Sequence, residues 1–162
     1  MKELIRQTQR AWAEAKKNAE RLSVEQNDLD MAAKLSACQM FTGEETIEEM
    51  VALMFSARGE EFLTKYGFPS IDIFRQYKPF NPERLGVYID CGEISLTEPR
   101  RAFLVGNTTA VLNFQETASS RVVLMHGARA TVVADGFSVV HIESDKTSQV
   151  SIVKKGNAAV LC

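Results

Sequence analysis

The side chains whose type and spacing come nearest to chemistry are His126 and His141, the only two histidines, and the arginines Arg121 and Arg129. On a strand reading His141 falls at an inward position and His126 in the turn before Gly127. Imidazole is the commonest metal ligand. A zinc site, however, needs three or four donors, and no Cys, Asp or Glu joins the pair at a spacing that strand geometry would bring together. The expectation is one core histidine and one turn histidine, with no metal site. Arg121 and Arg129 occupy equivalent outward positions of successive strand cores, with Arg100-Arg101 not far along the chain. Adjacent guanidiniums repel unless carboxylates such as Glu116 and Glu143 neutralise them or an anion does. Neutralisation is the expectation, and an anion site at Arg121 and Arg129 is the alternative. Asn113, read at the same inward column as His141, is given a structural role, hydrogen bonding along the stack.

Other catalytic arrangements find no support. GxSxG is absent, and so are GxxxxGK[ST] and GxGxxG, so neither an activated serine nor a phosphate-cradling loop is expected. No catalytic residue and no cofactor is assigned. Cys38, Cys91 and Cys162 are odd in number, far apart and outside any CxxC spacing, which reads as reduced thiols in a cytoplasmic protein. The net charge of −2 offers no general field for nucleic acid, and basic residues are not interleaved with aromatics as in single-strand binders. The first residues, MKELIRQTQRAWAEAKK, are charged and amphipathic, unlike a signal peptide. No stretch approaches the roughly 20 apolar residues of a membrane span.

The elements that must position these side chains fall into two regions. With 162 residues, 45% of them hydrophobic and 25% charged, the chain can bury a real core. Residues 2–22 carry Leu4, Thr8, Ala11, Trp12, Ala15, Ala19 and Leu22 along one helical stripe, Trp12 being a core or interface anchor. Ser23 with Gln26 has the form of a capping box for a second helix through Leu29, Leu35 and Met40, unless one long helix runs through both. Thr42 with Glu45 forms a better box. The helix it opens would bury Ile47, Met50, Val51, Met54 and Phe55 and end at Arg58-Gly59. The acidic run Glu44, Glu45, Glu48, Glu49, Glu60 and Glu61, broken only by Arg58, reads as a solvated helix face. A short helix follows and stops at Gly67, and Ser70 caps another bearing Ile71, Phe74 and Tyr77 before Pro79 and Pro82.

From Gly86 the period becomes two. After strands at Val87–Ile89, Ile94–Leu96 and Ala102–Val105 come six cores, TAVLNF, SRVVLM, ARATVV, FSVVHI, SQVSIV and NAAVLC, parted by turn formers such as Gly127 and Asp135-Gly136. Their third positions are Val111, Val122, Ala130, Val139, Val150 and Ala159, all small aliphatics; their fifth are Asn113, Leu124, Val132, His141, Ile152 and Leu161. Residues two apart share a face, so these columns are assigned inward. The other face is also rich in apolar residues, Leu112, Phe114, Val123, Met125, Val140 and Ile142, and must be covered by the helices or by a second copy. With Leu161 they form the expected interface.

A strand every ten residues or so fits a short right-handed β-solenoid, in which stacked coils set like residues over like. An antiparallel β-sandwich using Asp135-Gly136 as a hairpin is the alternative. The segments GNTTAVLNF, SRVVLMHGARATVVADGFSVVHI and SQVSIVKKGNAAVL resemble the rungs of short β-solenoid proteins such as bactofilins. The whole chain, helical head then valine-rich rungs, resembles small uncharacterised proteins of prophages and mobile elements. The fold class is thus α+β: a helical region over 1–80, then an all-β region over 81–162. The last core, NAAVLC, carries no polar cap, so its edge is expected to pair with another chain. The functional expectation is a non-enzymatic interaction or assembly protein whose partner is itself or another protein. The alternative is a small ligand-binding protein or enzyme with a site between subunits built around His126, His141, Arg121 and Arg129.

Overall fold

The computed structural model describes the backbone of residues 1–162 and the side chains of all but residues 57, 58 and 61. The chain divides into two compact units, Met1–Ile73 and Phe74–Cys162. In the first, α1 (Lys2–Glu25), α2 (Leu29–Ala37), α3 (Ile47–Met54) and α4 (Ala57–Tyr66) surround an aromatic centre. The Trp12 ring meets Phe41 at 5.5 Å and Phe62 at 6.0 Å, both edge-on, the geometry that ring quadrupoles favour. A further helix, α5 (Ile71–Tyr77), runs across the division between the units.

Three helix boundaries differ from expectation. Ser23 does not open a helix; it is buried inside α1, and the break comes at Asn27 in the left-handed region, after which Asp28 accepts the Met31 amide at 3.0 Å. The reciprocal box of α3 is Thr46 with Glu49, not Thr42 with Glu45. Glu45 sits ahead of that helix and is buried, so the acidic run is a solvated face only at Glu44, Glu48 and Glu49, Glu60 being buried too. The side chains of Arg58 and Glu61 lie outside the described residues. Gly59 ends no helix. It lies in the first turn of α4, where a Cβ would fall 2.2 Å from the Leu53 carbonyl oxygen, so the glycine permits the close approach of two helices joined by Phe55 and Ser56.

The second unit begins with two short 3₁₀ turns, Lys78–Phe80 and Pro82–Leu85. Nine strands follow: β1 (Val87–Ile89), β2 (Gly92–Thr97), β3 (Arg101–Val105), β4 (Thr108–Phe114), β5 (Ser119–Met125), β6 (Arg129–Ala134), β7 (Val139–Ser144), β8 (Gln149–Lys154) and β9 (Ala159–Leu161). They alternate between two sheets. Sheet A runs β1-β3-β5-β7-β9, sheet B runs β2-β4-β6-β8, and every neighbouring pair is parallel. A hairpin sandwich would pair consecutive strands antiparallel; here no consecutive strands pair. The second unit is therefore a parallel β-solenoid of about four turns that follows the helical region in the chain, and the protein is α+β. Aligned residues are 16 apart across the first turn (Val87 and Phe103) and 20 apart afterwards (Phe103 and Val123, Ala110 and Ala130, Ala130 and Val150). Asp135-Gly136 forms a corner rather than a hairpin. Gly136 has φ of 62°, and a Cβ there would meet the Gln115 carbonyl of the coil before at 2.9 Å.

The space between the sheets is filled by Leu104, Ala110, Leu112, Phe114, Val122, Leu124, Ala130, Val132, Val140 and Ile142, among others. The expected inward columns hold for β5, β6 and β8 but are one residue out in β4, β7 and β9. Val111 is 43% exposed while Leu112 is fully buried, and Val140 and Ile142, not Val139 and His141, face the core. A slip of one residue moves every side chain to the other face. The phase is hidden in β4 and β7 by an apolar residue on the outer side, Val111 beside Leu112 and Val139 beside Val140, while β3 and β5 are apolar on both sides. Phe103, Val105, Val123 and Met125 face away from the inter-sheet core yet are at most 1% exposed within the single chain. Phe74 supplies part of the cover, its ring 5.5 Å from that of Phe103. In β7 the outward positions turn polar, at His141 and Glu143.

Candidate functional site

The four residues proposed from sequence to converge do not do so. Consecutive strands lie on opposite sheets, so Arg121 is on sheet A and Arg129 on sheet B. Arg129 aligns with Thr109 and Gln149, Arg121 with Arg101 and His141. The arginine pair expected from sequence is thus replaced by a column, Arg101, Arg121, His141 and Leu161, along the outer side of sheet A. Glu116, one of the expected neutralising carboxylates, pairs instead with Arg100 at 3.0 Å on the surface. His126 is at the corner after β5, as expected, with φ of 56° and its ring 5.8 Å from Phe74. Asn113 faces outward, so it makes no inward stack.

The expected interface residues divide in three. Leu112, Phe114, Val140 and Ile142 belong to the inter-sheet core, at most 4% exposed, because the strand phase is the reverse of that assumed. Val123 and Met125 do lie on the second face but are fully buried in the single chain. Leu161 alone remains accessible, at 51%.

Polar groups that sequence reasoning passed over bind one coil to the next. The Asp145 carboxylate accepts the His126 amide at 2.8 Å across a corner, and within its own turn the amides and hydroxyls of Thr147 and Ser148 at 2.8–3.1 Å. Burial pushes this carboxyl up, and those donated hydrogen bonds outweigh it, holding Asp145 below its ordinary range. Asp90 does the same at the first joint, between the coils of β1 and β3. It accepts Arg75 Nε at 2.7 Å and the Asn107 amide at 2.8 Å, and the Arg75 bond above all keeps it ionised. Glu98 holds the amides of Gln115 and Glu116. A legible signal existed for Asp145: an Asp followed two and three residues on by Thr147 and Ser148 is the pattern of a side chain capping its own turn.

Cys38 and Cys91 are half-buried and Cys162 exposed, all as free thiols. Burial, and then the nearby Glu83 carboxylate, push the Cys91 thiol up, away from the thiolate that nucleophilic chemistry uses. Among the described residues no group of three His, Cys, Asp or Glu is placed to hold a metal ion, and no helix is long and apolar enough to cross a membrane.

What remains accessible is the far end of the solenoid. β8 is the last strand of sheet B and pairs only with β6. Its core-facing residues continue the inner columns, Val150 beyond Ala130 and Ile152 beyond Val132, yet Val150 is only half-buried and Ile152 is 44% exposed. Val160 of β9 is likewise only partly covered. Apolar core positions and a row of unpaired backbone groups therefore meet solvent together, the condition under which a sheet adds a further strand. No protein-family model, no curated protein and no solved structure matches this chain.

Proposed function

We propose that this is a non-enzymatic assembly protein, with the solenoid as the scaffold on which copies or partners are built. The observation that carries this reading is the open end of the solenoid, where Val150 and Val160, only partly covered, and Ile152, 44% exposed, prolong the core columns. Proteins manage exposed edges with bulges, inward charges or covering segments; β8 leaves Val150 and Ile152 without such cover, and its only charge, Lys154, stands last in the inner column beyond Phe114 and Ala134. The dispersal of Arg121, Arg129, His126 and His141 over two sheets and a corner supports assembly over a shared ligand site. Light scattering on the 162-residue chain at micromolar concentration tests it: a mass above one copy, or growth with concentration, is expected. A strictly monomeric chain that also binds no other protein overturns it.

A further inference from the structure

We infer that the occupant of the open edge is a second copy of this chain, added head to tail, with its β2 laid parallel along β8 of the copy before it. This deepens the assembly reading and rests on it. Strands β2 and β8 are the two edges of sheet B, each six residues long. Both leave core residues part-covered, Ile94 and Leu96 on one, Val150 and Ile152 on the other.

The backbone groups of the two edges are in phase. In a parallel ladder alternate residues direct N–H and C=O to opposite neighbours. The amides of Gly92 and Glu98 donate to Asn107 and Asn113 at 2.9 and 2.8 Å, so the even-numbered residues of β2 face β4 and residues 93, 95 and 97 face the outer edge. The amides of Gln149 and Lys155 donate to Ala128 and Ala134 at 3.0 and 2.8 Å, so the odd-numbered residues of β8 face β6, leaving 150, 152 and 154 outward. Register offsets of 16 and 20 are both even, which keeps this parity through every coil.

The side chains agree. Glu93 aligns with Thr109, Thr109 with Arg129 and Arg129 with Gln149, and carrying the register one strand further sets Glu93 of the next copy opposite Gln149. Ile94 then meets Val150, Ser95 meets Ser151, Leu96 meets Ile152, Thr97 meets Val153 and Glu98 meets Lys154. Apolar core columns continue across the joint, no like charges face each other, and one pair is of opposite charge. Two β8 edges brought together about a two-fold axis would instead run antiparallel, and β8 holds no acid to meet Lys154 of the other copy. Charge thus favours the head-to-tail arrangement, a heterologous contact that repeats.

Sedimentation velocity on the full chain separates the possibilities. Ser95→Pro removes an outward donor of β2 and Lys154→Pro an outward donor of β8, while neither amide serves the existing ladder. Head-to-tail stacking predicts that the unsubstituted chain forms a series of species growing with concentration and that each variant alone is monomeric. Mixing the two variants then yields a dimer that grows no further. If Ser95→Pro still self-associates, sheet B does not use β2, and this inference fails while the assembly reading stands. If the unsubstituted chain stays monomeric, this inference fails, and the assembly reading then stands only on another protein as partner. Circular dichroism checks the fold. Should either proline disturb it, Ser95→Lys with Ser151→Lys in one chain replaces the pair. That variant is expected to associate about fivefold more weakly than Ser95→Glu with Ser151→Lys, and equal association of the two overturns the register.

Discussion

Acidifying the protein is expected to loosen the helical unit through one carboxylate, Glu45. Its oxygens accept the amide and hydroxyl of Thr42, the Gly43 amide at 3.0 Å and Gln9 Nε2 at 2.7 Å. Burial pushes the carboxyl up, but these bonds outweigh it and bring it from the usual 4.5 down to about 2. The folded value lies below the unfolded one, so the stabilisation is complete above the unfolded value and is lost as pH falls from 4.5 towards 2. At 1.36 kcal/mol per unit the shift corresponds to about 3 kcal/mol, which solvent at the exposed Thr42–Gly43 turn screens to about 1–2 kcal/mol. For a unit of this size, with a urea dependence of about 1 kcal/mol/M, the midpoint should fall by roughly 1–2 M between pH 5 and pH 2.5. Trp12, the only tryptophan, reads this unit selectively because its ring packs on Phe41, next to the Thr42 turn. Urea titrations followed by Trp12 fluorescence, with Glu45→Gln alongside, make the comparison. Glu45→Gln is expected to start from a lower midpoint at pH 7 and to lose most of the decline. An equal decline in both proteins would refute the assignment of the acid sensitivity to Glu45.

Four further substitutions test the placement of individual residues. Leu112→Ala, in a fully buried inward position, should cost about 3 kcal/mol; Val111→Ala, on the outer face, should stay within about 0.5 kcal/mol. Chemical denaturation read by far-ultraviolet circular dichroism ranks the two, and the reverse order would mean the phase of β4 is wrong. Asp145→Ala strips the His126, Thr147 and Ser148 donors of their acceptor and should cost about 2–3 kcal/mol in the same assay. A cost below about 0.5 kcal/mol would show the corner carboxylate to be dispensable. Gly59→Ala should destabilise the helical unit despite the better helix propensity of alanine, because its Cβ collides with the Leu53 carbonyl; a rise in the Trp12-monitored midpoint would contradict that packing.

The ladder of strands was legible because turn formers recur about every ten residues, half of the 20-residue coil that the register shows between Ala110, Ala130 and Val150. The phase within each strand was less so. In β6 the alternation Ala130, Val132, Ala134 against Arg129, Thr131 and Val133 marks the inner face. In β5 the run Val122–Met125 is buried throughout, and a strand covered on both sides carries no alternation to read. Parallel connectivity also decided which residues become neighbours: Arg121 and Arg129 are close in sequence, yet a coil of two strands places them on opposite sheets and sets Arg101 and His141 beside Arg121. The second capping box failed for a local reason. Thr42 and Glu45 do bond to one another, as the pattern implies, but Thr46 and Glu49 supply a second box four residues on, and it opens the helix. The role of Glu45 as an acceptor for Gln9, 36 residues away, has no trace in local spacing.

Amide hydrogen exchange, followed residue by residue at low and high protein concentration, tests most directly whether copies join through sheet B. The amides of 151 and 153 already face β6 and are expected to be protected at both concentrations, while those of 150, 152 and 154, with 93, 95 and 97 on β2, are open in the single chain. Head-to-tail assembly predicts that protection at these six amides rises with concentration and that the alternate positions change little. Free exchange at all six under conditions where the chain is associated would contradict it.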